Sequence, residues 1–125
     1  MSKKKKKLPL EGLVILDLTN VLSGPYATLI LADLGAYVIK VEKPGGDDSR
    51  KFGPFVNNRS GYFISLNRGK KSIELNLKNN KDKILFKKLL SNSDVLIDNY
   101  KLGTLEKFGF NWDYISKNYP KLIQL

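Results

Sequence analysis

Short apolar runs and segments of helical spacing alternate along the chain. Leu13 to Leu18 ("LVILDL") is nearly continuously apolar, as a strand buried on both faces should be. "PYATLILADL" follows with apolar residues at helical spacing; Pro25 suits a first helical turn and Gly35 suits the position just past its end. Tyr37 to Glu42 ("YVIKVE") is a second β-branched run, so the opening unit reads strand–helix–strand. A polar stretch over residues 43–61, rich in Gly, Pro, Asp and Asn, reads as loop. "YFISLN" fits one helical turn or a strand equally well, and "RGKK" is a basic turn. Ser72 to Leu77 alternates apolar and polar as a third strand, and Lys81 to Leu90 has an amphipathic helical pattern in which Ile84, Leu85 and Leu89 interleave with lysines. Asp94 to Asp98 reads as a fourth strand, Thr104 to Phe108 and Trp112 to Asn118 as two short helices, and the terminal "LIQL" as the start of a fifth strand. This order predicts an α/β domain with a mostly parallel sheet.

A sequence of 125 residues bounds the chain to one domain at most. The final run stops without a turn signal, which leads us to expect the front part of a longer protein, truncated at its fifth strand. No apolar run reaches the ~18–20 residues that span a bilayer. The basic start lacks the apolar segment of a secretory signal. There is no cysteine, so disulfides and cysteine-bound zinc are excluded, in keeping with a cytoplasmic location. Histidine is also absent. A self-contained serine–histidine triad and a histidine-bound metal are therefore ruled out, and no metal is expected.

The net charge is +10, but five of those charges are Lys3 to Lys7, a block that repels itself and predicts a disordered tail over residues 1–9. The +5 left elsewhere suits phosphate ligands in general. Open α/β sheets bind ligands beyond the carboxyl ends of their strands, here residues 19–24, 43–46, 76–78 and 99–101. The first of these has Gly24 but lacks the G-x-G-x-x-G pattern of a dinucleotide cradle. Lys43 stands beside Glu42 at the end of the second run and favours phosphate over a ribose hydroxyl. Lys78 and Lys101 follow the third and fourth runs, with Lys107 about two helical turns on. Lysine is abundant enough for some to fall at strand ends by chance; convergence on one sheet edge is what favours a phosphorylated ligand.

The carboxylates offer no obvious nucleophile. Asp17, inside an apolar strand, reads as a paired structural acid. Asp47 and Asp48 follow two glycines and read as solvated, and Asp98 reads as shaping the turn after its strand. Tyr62 and Phe63, near Arg68, Lys70 and Lys71, do not match an RNA-stacking consensus and read as core aromatics.

Three stretches, "LEGLVILDLTNVLSGPYATLILADLGAYVIKVEKPGGDDSR", "YFISLNRGKKSIELNLK" and "DVLIDNYKLGTLEKFGF", together resemble the amino-terminal part of family III CoA-transferases, the group that includes formyl-CoA transferase. The resemblance covers residues 10–125 and implies the front of a Rossmann-like domain, helices on both sheet faces, that binds coenzyme A. It implies an enzyme that moves CoA between an acyl-CoA and a carboxylic acid through an aspartate nucleophile beyond Leu125, in an interlinked homodimer, so this chain alone is expected to be inactive. Carried over by position, the coenzyme-binding residues would be Leu22 and Ser23, Lys43, the segment Leu75, Asn76, Leu77 and Lys78, the turn Asn99, Tyr100 and Lys101, and Lys107. Lysine stands at Lys43 and Lys107 where the family often has arginine, which keeps the charge and loses the bidentate fork. Two other readings remain at this stage. One is the front portion of a 2-methylacyl-CoA racemase, from the related branch. The other is a free-standing basic module for nucleotides or RNA, whereas the resemblance implies neither a nucleic-acid partner nor a membrane.

Overall fold

The computed structural model describes residues 6–125; the lysine block expected to form a tail lies outside the described residues for its first three members. By Leu8 the backbone is already hydrogen-bonded into a turn, and Leu10 N–H donates to the Leu34 carbonyl.

In chain order the elements are β1 (Val14–Asp17), α1 (Ser23–Asp33), β2 (Tyr37–Glu42), a 3-10 turn (Asp48–Lys51), β3 (Phe55–Val56), β4 (Arg59–Ser60), α2 (Gly61–Asn67), β5 (Lys71–Glu74), α3 (Asn80–Ser91), β6 (Val95–Ile97), α4 (Thr104–Lys107), α5 (Trp112–Asn118) and β7 (Ile123–Gln124). Five strands form one sheet in the order β5-β2-β1-β6-β7. Every pairing in it is parallel, with Leu16 opposite Ile39 on one side and Leu96 on the other. Renumbered among themselves these strands run 3-2-1-4-5, the doubly wound order whose reversal lies beside β1. The terminal run is the fifth strand of this sheet, with Val95 opposite Ile123.

Strand alternation sends side chains to two cores. Ile15, Val38 and Val95 point toward α1, where they meet Ala36 with Leu31 and Ala32 at its edge. Leu16, Val41 and Leu96 point the other way, onto Phe86 and Leu90 of α3 and Ile115 of α5. Phe86 is fully buried and meets Phe110 edge to face at 4.8 Å. Helices thus cover both faces of the sheet.

Local chemistry sets the helix ends. Ser60, Asn79 and Asn111 each cap a helix by accepting from the N–H three residues on. Gly35, at φ +107°, closes the end of α1 as the sequence suggested. "YFISLN" is helical: the Ser60 cap and the Asn67 side chain on the Phe63 carbonyl tie its two ends.

Two expectations change, and α3 shows which of its sides is buried. The third strand ends at Glu74 rather than Leu77: after a last bond from Leu75 N–H to Glu42 O, Asn76 N–H goes to the Asp82 carboxylate and Asn79 N–H to Asn76 O, so the chain turns. The buried side of α3 is Phe86 and Leu90; Ile84 is exposed and Leu85 partly so. Within residues 43–61 lie a 3-10 turn and an antiparallel hairpin, β3 with β4, that the loop-like composition concealed.

Candidate functional site

The carboxyl ends of β1, β2, β5 and β6 open onto two adjoining clefts. One, of about 400 Å3, is lined by Val41, Leu75, Leu77, Tyr100 and Phe108 together with Glu42, Lys43, Asn76, Lys78 and Thr104. The other, of about 600 Å3, is lined by Val21, Leu22, Ser23, Lys43, Asn99 and Lys101, again with Tyr100. Lys43 and Tyr100 border both. The first cleft has the apolar walls and few polar groups of a small-molecule site. The second is faced by loop backbone and two lysines.

Of the residues expected at the site, Leu22, Ser23, Lys43, Leu75, Asn76, Leu77, Lys78, Asn99, Tyr100 and Lys101 line one cleft or the other. Lys107 lines neither; it is exposed on α4, whose Thr104 lines the first cleft. The three lysines at strand ends share one sheet edge, with Lys43 between the other two. Lys43 is about half exposed and pairs at 2.8 Å with Asp48, which lines the second cleft beside it.

Asn99 spends its side chain on protein. Its carbonyl oxygen accepts from Asn20 N–H at 2.8 Å, and its amide donates to the Asn20 carbonyl at 2.9 Å. Asp98 accepts from Tyr100 N–H, shaping the turn as expected. Burial, with the Asp98 charge nearby, pushes the Tyr100 phenol up to about 12, so it stays neutral over any ordinary pH range.

Beneath the clefts lies a layer of buried charge. Lys40, central in β2 and 1% exposed, pairs with Asp47 at 3.0 Å and donates to the Thr19 carbonyl at 2.7 Å. Asp47 also accepts from the Ser49 N–H and hydroxyl, and these bonds with Lys40 hold its carboxyl below the usual range despite burial. The expectation that Asp47 is solvated is therefore wrong. Two glycines do not make a loop exposed when a strand lysine one turn away needs a counter-charge. Asp48, its neighbour, is exposed.

Asp17 is buried and paired, as its apolar strand implied. Lys70 gives all three of its protons to protein oxygens: Asp17 at 3.1 Å, the Pro25 carbonyl at 3.0 Å and the Asn67 side chain at 2.8 Å. Burial lowers the Lys70 pKa against the pull of Asp17. Glu42, 3% exposed, is held at about 2: burial acts to raise it, but two bonds from Arg50 (2.7 and 2.6 Å), one from Ser72 (2.6 Å) and one from Asp47 N–H (2.7 Å) prevail. Arg50 also lies 3.8 Å from the Phe63 ring centre. Asp17, Glu42 and Asp47 are thus each engaged by a lysine or arginine, and no cluster of three potential metal-binding acids exists among the described residues.

The sequence reading passed over Lys40, Asn20 and Lys70. A lysine at an inward position of an apolar strand was the available signal, since such a charge must find a partner.

The first loop is unusual in its backbone. Val21 has φ +69°, a conformation costly for a β-branched residue. A Cβ on Gly24 would lie 2.3 Å from Thr19 Cβ, so α1 starts in direct contact with the loop. Leu22 caps α1 without a side-chain acceptor.

Comparison with known proteins agrees with this architecture. Residues 10–125 match the model of CoA-transferase family III. The chain belongs to that family. It is 48% identical over 120 residues to an acetyl-CoA:oxalate CoA-transferase of Acetobacter aceti, covering 95% of this chain and 31% of that protein. It is 52% identical over 117 residues to a mouse succinyl-CoA:glutarate CoA-transferase, covering 92% of this chain and 27% of the relative. The crystal structure of a CaiB/BaiF family protein from Brucella suis superposes with a TM-score of 0.88 at 40% identity, covering 95% of this chain and 33% of that one. The chain thus spans about a third or less of the length of the relatives it matches. No helix among the described residues is long and apolar enough to cross a membrane.

Proposed function

We propose that this chain is the coenzyme-A-binding portion of a cytoplasmic enzyme that transfers CoA between an acyl-CoA and a carboxylic acid. The observation that carries the proposal is the pair of clefts joined at Lys43 and Tyr100, at the carboxyl edge of a parallel sheet, one with apolar walls and the other lined by loop backbone with Lys43, Lys101 and Asp48. Coenzyme A has this duality, an aromatic base beside phosphates. The apolar walls of Val41, Leu75, Leu77 and Phe108 suit the base. Lys43 and Lys78 suit a phosphate at its edge, and Lys101 with the start of α1 suits a second anionic stretch. A phosphate at Lys43 would compete with Asp48.

Within that division of labour these residues bind and orient and do not react. Asp17, Glu42 and Asp47 are engaged by lysine or arginine, and the Tyr100 phenol stays protonated. The aspartate that attacks the thioester would come from the remainder of the protein, as would the surfaces of an interlinked homodimer. The likeness to CoA-transferases of dicarboxylic acids, oxalate and glutarate, favours a transferase over a racemase.

Calorimetry of coenzyme A with the wild-type chain and with Lys43→Glu tests the assignment. Reversing this charge should weaken binding on the order of tenfold, equivalent to roughly 1.4 kcal/mol. Equal affinities would contradict the placement of phosphate at Lys43. Steeply salt-dependent RNA binding without coenzyme A binding would favour the nucleic-acid reading instead.

A further inference from the structure

Beneath the second cleft, the loop that faces the ligand is held almost entirely from outside itself. Thr19 N–H donates to Asp17, and Thr19 O accepts from Lys40 Nζ. Both backbone groups of Asn20 are taken by the Asn99 side chain. Val21 N–H points at the Asp47 carboxylate, 3.4 Å from each oxygen. Three consecutive residues are thus clamped by side chains from β1, β2, the segment after β2 and the segment after β6. The next two residues, Leu22 and Ser23, face the cleft.

The clamp explains how Val21 keeps a positive φ. A β-branched residue leaves that conformation unless its surroundings over-determine it. Lys40 fixes the carbonyl two residues earlier, and its ion-pair partner Asp47 meets the Val21 N–H. Asp47 is itself pinned by Ser49 and by its own N–H on Glu42, so it can serve as a rigid acceptor. Neither Lys40 nor Asp47 lines either cleft.

We infer that Lys40 and Asp47 are positioning residues: their buried ion pair holds Val21 in its left-handed conformation and thereby sets the backbone that Leu22 and Ser23 present to the ligand. The part concerning the ligand rests on the coenzyme A reading; the part concerning the loop does not.

Single substitutions strand a buried charge and can unfold the chain, so the test uses Lys40→Met/Asp47→Asn, which removes both charges. Ile115→Val, a core trim on the opposite face, serves as the control for general loss of stability. Amide exchange and the Val21 HN–Hα coupling are read by NMR, and coenzyme A affinity by calorimetry. In the double variant, exchange at Val21 should quicken at least tenfold relative to amides of β1, and the coupling should move toward an extended value. Ile115→Val should change neither. Coenzyme A affinity should fall on the order of tenfold in the double variant. A Val21 coupling and exchange rate equal to wild type in a folded double variant would overturn the inference, as would equal loosening in Ile115→Val. A loosened loop with undiminished affinity would overturn the ligand-presenting role. If the wild type binds no coenzyme A, the functional reading fails, while the Val21 readouts still decide whether the ion pair holds the loop.

Discussion

Acid should destabilise this chain through Glu42 in a way that one substitution can isolate. Glu42 sits at the end of β2, 3% exposed, accepting two bonds from Arg50, one from Ser72 and one from Asp47 N–H. These bonds bring its pKa from the ordinary 4.5 of a glutamate to about 2. Because the folded value lies below the unfolded one, the stabilisation is fully present above about pH 4.5 and is lost as pH falls toward 2. The gap corresponds to about 3 kcal/mol at about 1.4 kcal/mol per pH unit. Arg50 is partly open to water, and screening there brings the expectation to about 2 kcal/mol. Urea unfolding of wild type and Glu42→Gln at pH 6, 4 and 3 measures it. The wild type should be the more stable at pH 6 by about 2 kcal/mol, with the difference shrinking at pH 4, cut to about half or less at pH 3 and vanishing only as pH falls through about 2. Asp47, also held low, steepens the acid loss of both proteins alike and cancels in the difference. A difference independent of pH would refute the reasoning, since it would mean that Glu42 acts by shape rather than by charge.

Two further outcomes follow from the same geometry. Phe86→Ala empties a fully buried site and breaks the edge-to-face contact with Phe110, so unfolding free energy should drop by about 3–5 kcal/mol; a loss under about 1 kcal/mol would show that the α3 face is not packed as described. Tyr100 should ionise near 12 in an absorbance titration, with Tyr100→Phe removing that late step; its stabilising neutral form is fully kept below pH 10 and lost as pH rises through 12, and titration of Tyr100 near 10 would contradict its burial.

Much of the scaffold could be read from local pattern. "YVIKVE" and "WDYISKN" coincide with β2 and α5 residue for residue, because a β-branched run and an Asn-capped turn are each sufficient local instructions. The strand-end loops came out at the sheet edge for the same reason: a doubly wound order needs only alternating elements. What escaped the reading depended on partners distant in sequence. "GYFISLN" has no decisive period over so short a run, and its Ser60 cap decides the matter. Ser72 to Leu77 alternates past the point where pairing stops, since Leu77 remains buried although the last bond to β2 is made by Leu75. Asp47 looked exposed because its neighbours are glycine and aspartate, while its burial is dictated by Lys40 in the preceding strand. Asn99 was read at the ligand edge from its place after the fourth strand and from likeness, and only its pairing with Asn20 reveals a side chain already committed to the protein.

The most direct test of the central claim is a titration of the isotopically labelled chain with coenzyme A, following backbone amides by NMR. Shifts should concentrate at Leu22, Ser23, Lys43, Tyr100 and the segment from Leu75 to Lys78, spanning both clefts. A perturbation confined to the separate hollow by Asn58, Arg59 and Ile64, or none at saturating coenzyme A, would contradict it.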